Sequence, residues 1–294
     1  MERATPITIA GVHAPVYHVC DTSSTLDLAA MLLSDTTTAT PHLTTIIADR
    51  QSAGRGRLGR TWTTPDGQAL LASTIVSLPV SFPTDMLGWL VHACALSVRE
   101  ALSHRLAPLG HAVSLKWPND VLVDGARKVC GILAQLAPSS SPFTTSALLG
   151  YGINIAQDAD HLATPQATSL YVEGDAEAGA DPTAVSHALL SQILTGLDSR
   201  IRGLVTHGNA TDCGLADEAE SALPLLGTRI ALAKPTDPDG HPAMEGVALG
   251  LSPTGSLLVR TDDGRTHDIN AGDVLATGIP LTTVHDTKEK RANN

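Results

Sequence analysis

The stretch ADRQSAGRGRLGRTW, Ala48–Trp62, decides which fold the sequence predicts. Gly54, Gly56 and Gly59 have the spacing of a dinucleotide-binding fingerprint, and an apolar run precedes them. That fingerprint requires a helix to begin directly after the glycines, because the helix N-terminus binds the pyrophosphate. Residues 61–67, TWTTPDG, follow instead, and no Lys-Ser or Lys-Thr pair completes a P-loop. The segment is therefore predicted to be a flexible loop outside any doubly wound nucleotide-binding fold.

This loop concentrates positive charge in an acidic chain. Arg55, Arg57 and Arg60 lie within it, whereas the 294 residues together carry a formal net charge of −11. Guanidinium groups bind carboxylates and phosphates through paired hydrogen bonds, and glycines let the backbone approach a ligand. Because nucleic-acid binding needs a basic surface, the acidic balance and 3% aromatic content argue against a nucleic-acid partner. The loop predicts a local anion site; a solvated basic turn and an RNA-binding Arg-Gly segment are the alternatives.

The remaining composition narrows the class of protein. The four cysteines are too widely spaced for a CxxC pair, and the histidines show no HExxH pattern. Neither a signal-peptide pattern nor a run of about 18 apolar residues is present. We therefore expect a globular, cytoplasmic protein with reduced, mostly buried thiols and no membrane partner.

Hydrophobic periodicity predicts an α+β arrangement in the first two thirds of the chain. Because the strands do not alternate regularly with helices, a mixed sheet is favoured over a parallel one. The predicted helices are Leu26–Leu33, Thr84–Leu102 and Pro182–Leu204, and the predicted strands are Thr44–Ala48, Ala69–Val76, Ser114–Trp117, Gly131–Leu136 and Ala147–Ile155, with a turn at Pro138–Pro142.

Beyond Asp217 short strands alternate with turns rich in Gly, Pro and Asp, which predicts a small, barrel-like all-β module. The polar tail from His285 is expected to be disordered. The predicted strands of the module are Thr228–Leu232, Glu245–Leu249, Gly255–Arg260 and Thr266–Ile269.

Two further segments carry chemistry. LKWPNDVLVDGARKVCGILAQL, Leu115–Leu136, places Lys116, Asn119 and Asp120 at a Pro-containing strand end, with Lys128 before the next strand. For these charges a surface ion pair of little energetic consequence is the alternative interpretation.

In LLGYGINIA, Leu148–Ala156, Gly150 and Gly152 alternate along a predicted strand and share one face. A strand face without side chains leaves a slot for a flat or extended ligand. Close packing of a helix on the sheet would explain the same glycines.

The motifs QSAGRGRLGRTW, KWPNDVLV followed by RKVCGILAQL, and GYGIN resemble, in order and spacing, those of the biotin protein ligase family. Further similarities at Ser24-Thr25, ATSL (167–170) and INAGDV (269–274) extend the resemblance over Tyr17–Thr277. It implies an α+β, mixed-sheet catalytic domain of the class II aminoacyl-tRNA synthetase and biotin protein ligase type over residues 1–218. An SH3-like β-barrel at 219–280 and a disordered tail at 281–294 would follow.

The resemblance also implies a two-step reaction. Biotin and ATP, with Mg²⁺, would form biotinyl-5′-AMP, and the biotinyl group would pass to a lysine of a biotin carboxyl carrier protein or domain. Since Ser24-Thr25 lies near the start of this sequence, no N-terminal DNA-binding domain is expected, and hence no repressor activity. We expect a monomer or a weak homodimer.

Residue by residue, the resemblance implies three overlapping sets of site residues. The catalytic residues would be Lys128, Arg57 and Asp120, with Asp120 as the metal ligand. The biotin-binding residues would be Ser24, Thr25, Gln51, Gly54, Arg55, Gly131, Ile132, Leu133, Gly150 and Gly152. The adenylate-binding residues would be Arg57, Arg60, Trp62, Lys116, Asn119, Lys128 and Asn154.

The sequence departs from the family pattern at Leu26, where many members have asparagine, and carries the larger Tyr151 and the more reactive Cys130 within its motifs. A lipoate- or octanoate-transferring enzyme shares the implied fold and is the closest alternative. An RNA-associated module and a catalytically inactive adenylate sensor are two others.

Overall fold

The eight-stranded sheet that carries most of the motifs is mixed, with the strand order β1-β2-β3-β4-β8-β7-β6-β5. This computed structural model describes residues 4–35, 40–137, 143–233 and 242–277. The strands are β1 (Thr5–Ile7), β2 (Val16–Thr22), β3 (Thr45–Gln51), β4 (Ala69–Pro79), β5 (Val113–Lys116), β6 (Asp120–Val123), β7 (Arg127–Ala137) and β8 (Thr144–Asn154). The helices are α1 (Thr25–Ser34), α2 (Leu87–Leu106), α3 (Ala176–Ala180), α4 (Pro182–His207) and α5 (Leu215–Ser221).

Helices cover both faces of this sheet. β2 and β3 are parallel and joined through α1, whereas the other neighbouring strands are antiparallel. Ile46 packs with α1 in one cluster of buried side chains, and its neighbour Ile47 packs in the larger cluster that includes α2 and α4. Because both faces are covered, β4 and β8 are apolar and buried along most of their length.

The predicted α+β class is confirmed, and all three predicted helices and all five predicted strands of this part are present. The short β1, β2, β6, α3 and α5 were missed, because three to seven residues carry too little periodicity. The predicted turn Pro138–Pro142 and the predicted disordered tail lie outside the described residues.

The C-terminal part is a five-stranded antiparallel sheet with the order β12-β11-β10-β9-β13. The all-β prediction is confirmed there, and β13 was missed. Closure into an SH3-like barrel and the domain boundaries at 218 and 280 stay predictions. The strands are β9 (Arg229–Ala233), β10 (Pro242–Leu251), β11 (Leu257–Arg260), β12 (Thr266–Ile269) and β13 (Asp273–Thr277).

The cysteines are free, but only half of them are buried. Cys94 and Cys130 are buried, Cys213 is half-buried and Cys20 is exposed, so the prediction of mostly buried thiols holds for two of four. Burial raises the pKa of Cys94 to about 12 and that of Cys130 well above its usual range. Neither of these two thiols is a nucleophile at neutral pH.

No helix in the described ranges combines the length and the apolar character needed to cross a bilayer.

The C-terminal sheet docks on the first turns of α2. Trp89 Nε1 donates to the Pro253 carbonyl at 2.8 Å, and His92 Nε2 donates to the Gly255 carbonyl at 2.9 Å. Both side chains are buried. Because a carbonyl only accepts, the neutral His92 ring carries its proton on Nε2. These bonds fix the hairpin between β10 and β11 against the helix.

This contact predicts a specific acid sensitivity. Burial lowers the folded-state pKa of His92 below its ordinary value of 6.5. As the pH falls below 6.5, the unfolded chain binds the proton and the folded chain does not, so the free energy of unfolding decreases. His92→Gln keeps an N–H donor and removes the titration. Urea unfolding at pH 7 and pH 5 should therefore show a larger loss of stability for wild type than for H92Q, and equal losses would contradict the assignment.

Candidate active site

A cavity of about 680 Å³ opens over the centre of the eight-stranded sheet. Its walls come from the start of α1, the Arg-Gly loop, the β5–β6 turn, β7, β8, the segment 157–167 and the start of β13. All of the predicted site residues except Gly54 line it: Ser24, Thr25, Gln51, Arg55, Arg57, Arg60, Trp62, Lys116, Asn119, Asp120, Lys128, Gly131, Ile132, Leu133, Gly150, Gly152 and Asn154. The structure therefore brings the separate sequence motifs to one place.

A fixed polar corner lies at the N-terminus of α1. The Thr25 amide and hydroxyl both donate to Gln51 Oε1, at 2.8 and 3.0 Å, and Ser73 donates to the Thr25 hydroxyl at 2.8 Å. Ser24, the N-cap residue, is buried and makes no side-chain capping bond. The corner is rigid because every partner belongs to a strand or a helix end.

The predicted glycine slot is filled by the protein's own side chains. Gly131 and Gly152 lie opposite each other in the β7–β8 register, and Trp62 lies against both. A Cβ at Gly152 would come within 2.5 Å of the indole, and one at Gly131 within 3.1 Å. A Cβ at Gly150 would meet Leu26 at 2.8 Å. The missing side chains thus make room for Trp62 and Leu26, which form walls of the cavity.

Gly54, predicted as a biotin-binding residue, lies outside the cavity lining. A Cβ there would come within 2.4 Å of the Trp62 carbonyl, and the Trp62 amide donates to the Gly54 carbonyl at 2.9 Å. Glycine is needed because two backbone segments meet at this point. Gly54 therefore closes the loop that places Trp62 on the sheet, although it does not line the cavity.

The tip of the loop turns through left-handed backbone. Leu58 and Gly59 have φ values of 57° and 73°. Before the turn, Arg55 Nη2 lies 2.5 Å from Asp27 Oδ1 of α1. Because both side chains are about half exposed, this pair fixes the loop only weakly.

Lys128 and Asp120 form an ion pair within the cavity. Lys128 Nζ lies 2.6 Å from Asp120 Oδ1 and 5.6 Å from the centre of the Trp62 ring. The Lys128 ammonium is the partner of this Asp120 oxygen, which is otherwise buried. The lysine backbone bonds to the segment 157–167 through Gln166. The pair is thus held between two walls of the cavity.

Arg57 is held by acceptors from both sheets. Its guanidinium donates to Asn119 Oδ1 at 3.2 Å and to the Gly272 carbonyl at 3.1 Å, and lies 3.5 Å from Asp273. Burial lowers the pKa of Arg57, while Asp273 and Asp120 oppose that effect. Arg60 pairs with the same Asp273 carboxylate. Two loop arginines therefore share one acidic partner of the C-terminal sheet.

The two asparagines are oriented by hydrogen bonds. Asn119 Nδ2 donates to the Ile132 carbonyl at 2.7 Å. Asn154 donates to the Thr168 carbonyl at 2.8 Å and accepts from Gln157 Nε2 at 3.0 Å. Gln157 is buried, and its Oε1 has no partner. Asn154 is therefore engaged at both ends of its amide, and Gln157 holds the free acceptor.

Sequence reasoning missed two parts of the lining. These are the segment 157–167 after β8, including Gln157 and His161, and the start of β13 at Asp273–Leu275. The similarities to the family at residues 167–170 and 269–274 were the only signal in the sequence for these two segments. They did not indicate a chemical role for any residue there.

A second cavity of about 600 Å³ lies among α2, α4 and α5. None of the predicted site residues lines it. Its half-buried Arg200 is already paired with Glu100 and Glu218. Arg200 is therefore not free to bind an anion in this cavity.

Comparison with known families agrees with the motifs. Residues 19–154 match the biotin/lipoate A/B protein ligase family, and residues 236–275 match the biotin protein ligase C terminal domain. The first match contains every predicted site residue, and the second includes Gly272 and Asp273.

Among curated relatives, the biotin–[acetyl-CoA-carboxylase] ligase of Mycobacterium tuberculosis is 34% identical over 230 residues, covering 78% of this chain and 77% of the relative. The bifunctional ligase/repressor BirA of Bacillus spizizenii is 29% identical and covers 76% of this chain. This chain spans only 63% of that relative's length. The enzyme class that the motifs predict is the class named for the first of these relatives.

Among solved structures, the biotin protein ligase from Aquifex aeolicus in complex with biotin and ATP superposes with a TM-score of 0.65 at 25% identity. The alignment covers 90% of this chain and 98% of that one. From motifs, relatives and fold together, the chain belongs to the biotin protein ligase family, as its sequence predicted.

Proposed function

We propose that this chain is a biotin–[acetyl-CoA-carboxylase] ligase that joins biotin and ATP to form biotinyl-5′-AMP and passes the biotinyl group to a carrier lysine. One observation carries the proposal: a single cavity holds the polar corner of Thr25 and Gln51 together with the cations Arg57, Arg60 and Lys128. Relatives and a structural neighbour named for biotin and ATP support the substrates. A cytoplasmic enzyme and a monomer or weak homodimer remain predictions.

In the first step a biotin carboxylate oxygen forms a bond to the α-phosphorus of ATP. The bond from that phosphorus to the bridging oxygen breaks, and pyrophosphate leaves with the electron pair. Two anionic reactants must approach each other, so fixed cations lower the barrier by neutralising charge that builds up in the transition state. Lys128, Arg57 and Arg60 all line the cavity in which the reactants would meet.

The positive charges of this site are partly neutralised within the protein. Asp120 pairs with Lys128, and Asp273 is shared by Arg57 and Arg60. The remaining N–H donors of the guanidinium groups would also bind phosphoryl oxygens of a triphosphate, whose geometry they match well. Substrate binding thus adds phosphoryl oxygens to cations that the protein already holds in place.

The donor set fits Mg²⁺ carried by the nucleotide. Magnesium usually takes one or two carboxylates together with substrate phosphates, and the Asp120 carboxylate lines the cavity beside Lys128. Asp120 would hold the ion, which would neutralise the triphosphate. Other clusters of metal-ligating side chains within the described residues, His18-Cys20-Asp49 and His111-Asp124-Glu173, do not line this cavity.

In the second step the ε-amine of a carrier lysine attacks the acyl carbon of biotinyl-AMP. The amine loses a proton, and AMP leaves with the electron pair of the acyl–oxygen bond. Trp62 and the loop arginines line the cavity, where they would limit access of water to the mixed anhydride. The acceptor is a biotin carboxyl carrier protein or domain. We propose a ligase without repressor activity.

Pyrophosphate–ATP isotope exchange tests the first step. Purified protein is given biotin, lipoate or octanoate in separate reactions. Exchange with biotin alone is expected. Exchange with lipoate or octanoate alone would contradict the assignment of biotin as the substrate. Exchange with none of the three would contradict the assignment as a ligase.

Lys128→Ala should slow biotin-dependent exchange by about a hundredfold or more, because a charge that stabilises the transition state is lost. Arg202→Ala is the matched control, since that cation is exposed on α4 and lies outside the cavity. Circular dichroism checks that both variants fold. A rate near that of wild type in K128A would remove Lys128 from the catalytic set.

Gly152→Ala should displace Trp62, because the new methyl group would lie within 2.5 Å of the indole. Trp89 and Trp117 are buried, so acrylamide quenching of tryptophan fluorescence reports mainly on Trp62. Quenching should increase in G152A while exchange activity falls. Gly203→Ala in α4, where the added Cβ meets only Cys213 at 3.5 Å, is the control. Unchanged quenching in G152A would show that Trp62 does not lie on this glycine.

A further inference from the structure

The C-terminal sheet reaches the cavity at the start of β13. Asp273 pairs with Arg60 through one carboxylate oxygen, and its other oxygen lies 3.5 Å from Arg57 Nη1. The preceding carbonyl, that of Gly272, accepts from Arg57 Nη2 at 3.1 Å. Gly272 and Asp273, at the start of β13, therefore hold two guanidinium groups of a loop that lies more than 200 positions earlier in the chain.

Asp273 is a fixed anchor. Its strand pairs with β9 through Ala233 and Leu232, and the neighbouring Val274 is buried. The sheet itself is docked on α2 through Trp89 and His92. The carboxylate is only 24% exposed, so solvent screens its interactions less than those of a surface pair.

The two arginines depend on this anchor to different degrees. Arg57 is 18% exposed and keeps Asn119 as a second partner. Arg60 is 66% exposed, and Asp273 is its ion-pair partner among the described residues. Without a fixed partner, a long exposed side chain samples many rotamers, and ordering it on a ligand costs conformational entropy. Asp273 removes part of that cost in advance for Arg60.

The arginines remain able to bind an anion while they are held. Each guanidinium has five N–H donors in a planar fork. The contacts to Asn119, Gly272 and Asp273 use only part of the donors of Arg57, and the contact to Asp273 uses one nitrogen of Arg60. The remaining N–H groups line the same cavity as Lys128.

We propose that Asp273 is a positioning residue for the nucleotide: it holds Arg57 and Arg60 side by side at the phosphate end of the cavity. The C-terminal sheet then contributes a positioning residue to the adenylation site. The inference rests on the proposed function, since the anion that the arginines await is the triphosphate. Asp273 does not itself contact the reacting atoms.

Two variants and a control isolate this role. Asp273→Asn removes the charge and keeps the volume, and Asp273→Glu keeps the charge. Asp268→Asn is the control, because Asp268 is an exposed carboxylate of the same sheet that does not line the cavity. Thermal unfolding of all three checks that the C-terminal sheet is intact.

The first readout is independent of catalysis. Trypsin cleaves after arginine, and in wild type the loop arginines are held against Asp273. Fragments cut after Arg57 or Arg60, identified by mass, should form at least severalfold faster in D273N than in wild type, D273E or D268N. Equal cleavage rates in D273N and wild type would overturn the proposal, whatever the activity of the protein.

The second readout is the Michaelis constant for ATP in pyrophosphate exchange. It should rise about tenfold in D273N, return toward wild type in D273E and stay unchanged in D268N, while the dissociation constant for biotin measured without ATP stays unchanged in all. A twofold change or less in D273N would overturn the proposal. If D273N folds poorly, Arg60→Ala should raise the same constant without unfolding, and an unchanged constant there would equally overturn it.

These readouts separate the two hypotheses. Absence of exchange in wild type contradicts the proposed ligase function, while the trypsin result still decides whether Asp273 orders the loop. Normal exchange in wild type with unchanged constants in D273N supports the ligase and overturns the positioning role.

Discussion

The pairing of Gly131 with Gly152 across β7 and β8 is the constraint on which the site depends. Two bare positions side by side leave a flat area of backbone in an otherwise covered sheet, and the Trp62 indole lies on it. Trp62 in turn fixes the end of the Arg-Gly loop, whose opposite end closes at Gly54. This stacking brings the loop onto the strands, and its arginines line the same cavity as Lys128.

The acidic charge of the chain fits this arrangement. Free cations would attract any phosphate ligand, but the three loop guanidinium groups and the Lys128 ammonium each have a carboxylate within reach: Asp27 for Arg55, Asp120 for Lys128 and Asp273 for the other two arginines. A ligand must therefore offer more than charge. A carboxylate and a triphosphate held at the correct separation satisfy several groups at once, whereas a simple anion satisfies fewer. Selectivity would follow from that requirement.

Hydrophobic periodicity was sufficient to predict most of the fold, and the family resemblance supplied a set of site residues that all line the cavity except Gly54. Long segments such as α2 and β8 have enough periodicity to be recognised from the sequence. In GRGRLGR and KWPND the charged and polar residues are adjacent in the sequence, so these motifs could also be recognised. The residues that contact these motifs in the folded chain could not be identified in the same way. Nothing in the sequence near Arg57 indicates Asp273, and the amide of Asn154 meets Gln157 only because the chain turns after β8. Trp62 and Leu26 fill the glycine slot because of tertiary packing, which the spacing of residues in the sequence does not predict.

Leu26 shows how such packing changes the meaning of a motif. As a departure from the family pattern it weakens any polar role at that position, and in the structure its side chain lies on Gly150 and packs with Ile46 and Ile75. The polar function next to it is carried by Thr25, whose amide and hydroxyl both bind Gln51. One helix end thus presents an apolar wall and a polar corner in consecutive residues. A ligand with an apolar body and a few hydrogen-bonding groups is the kind of molecule that such a boundary accommodates.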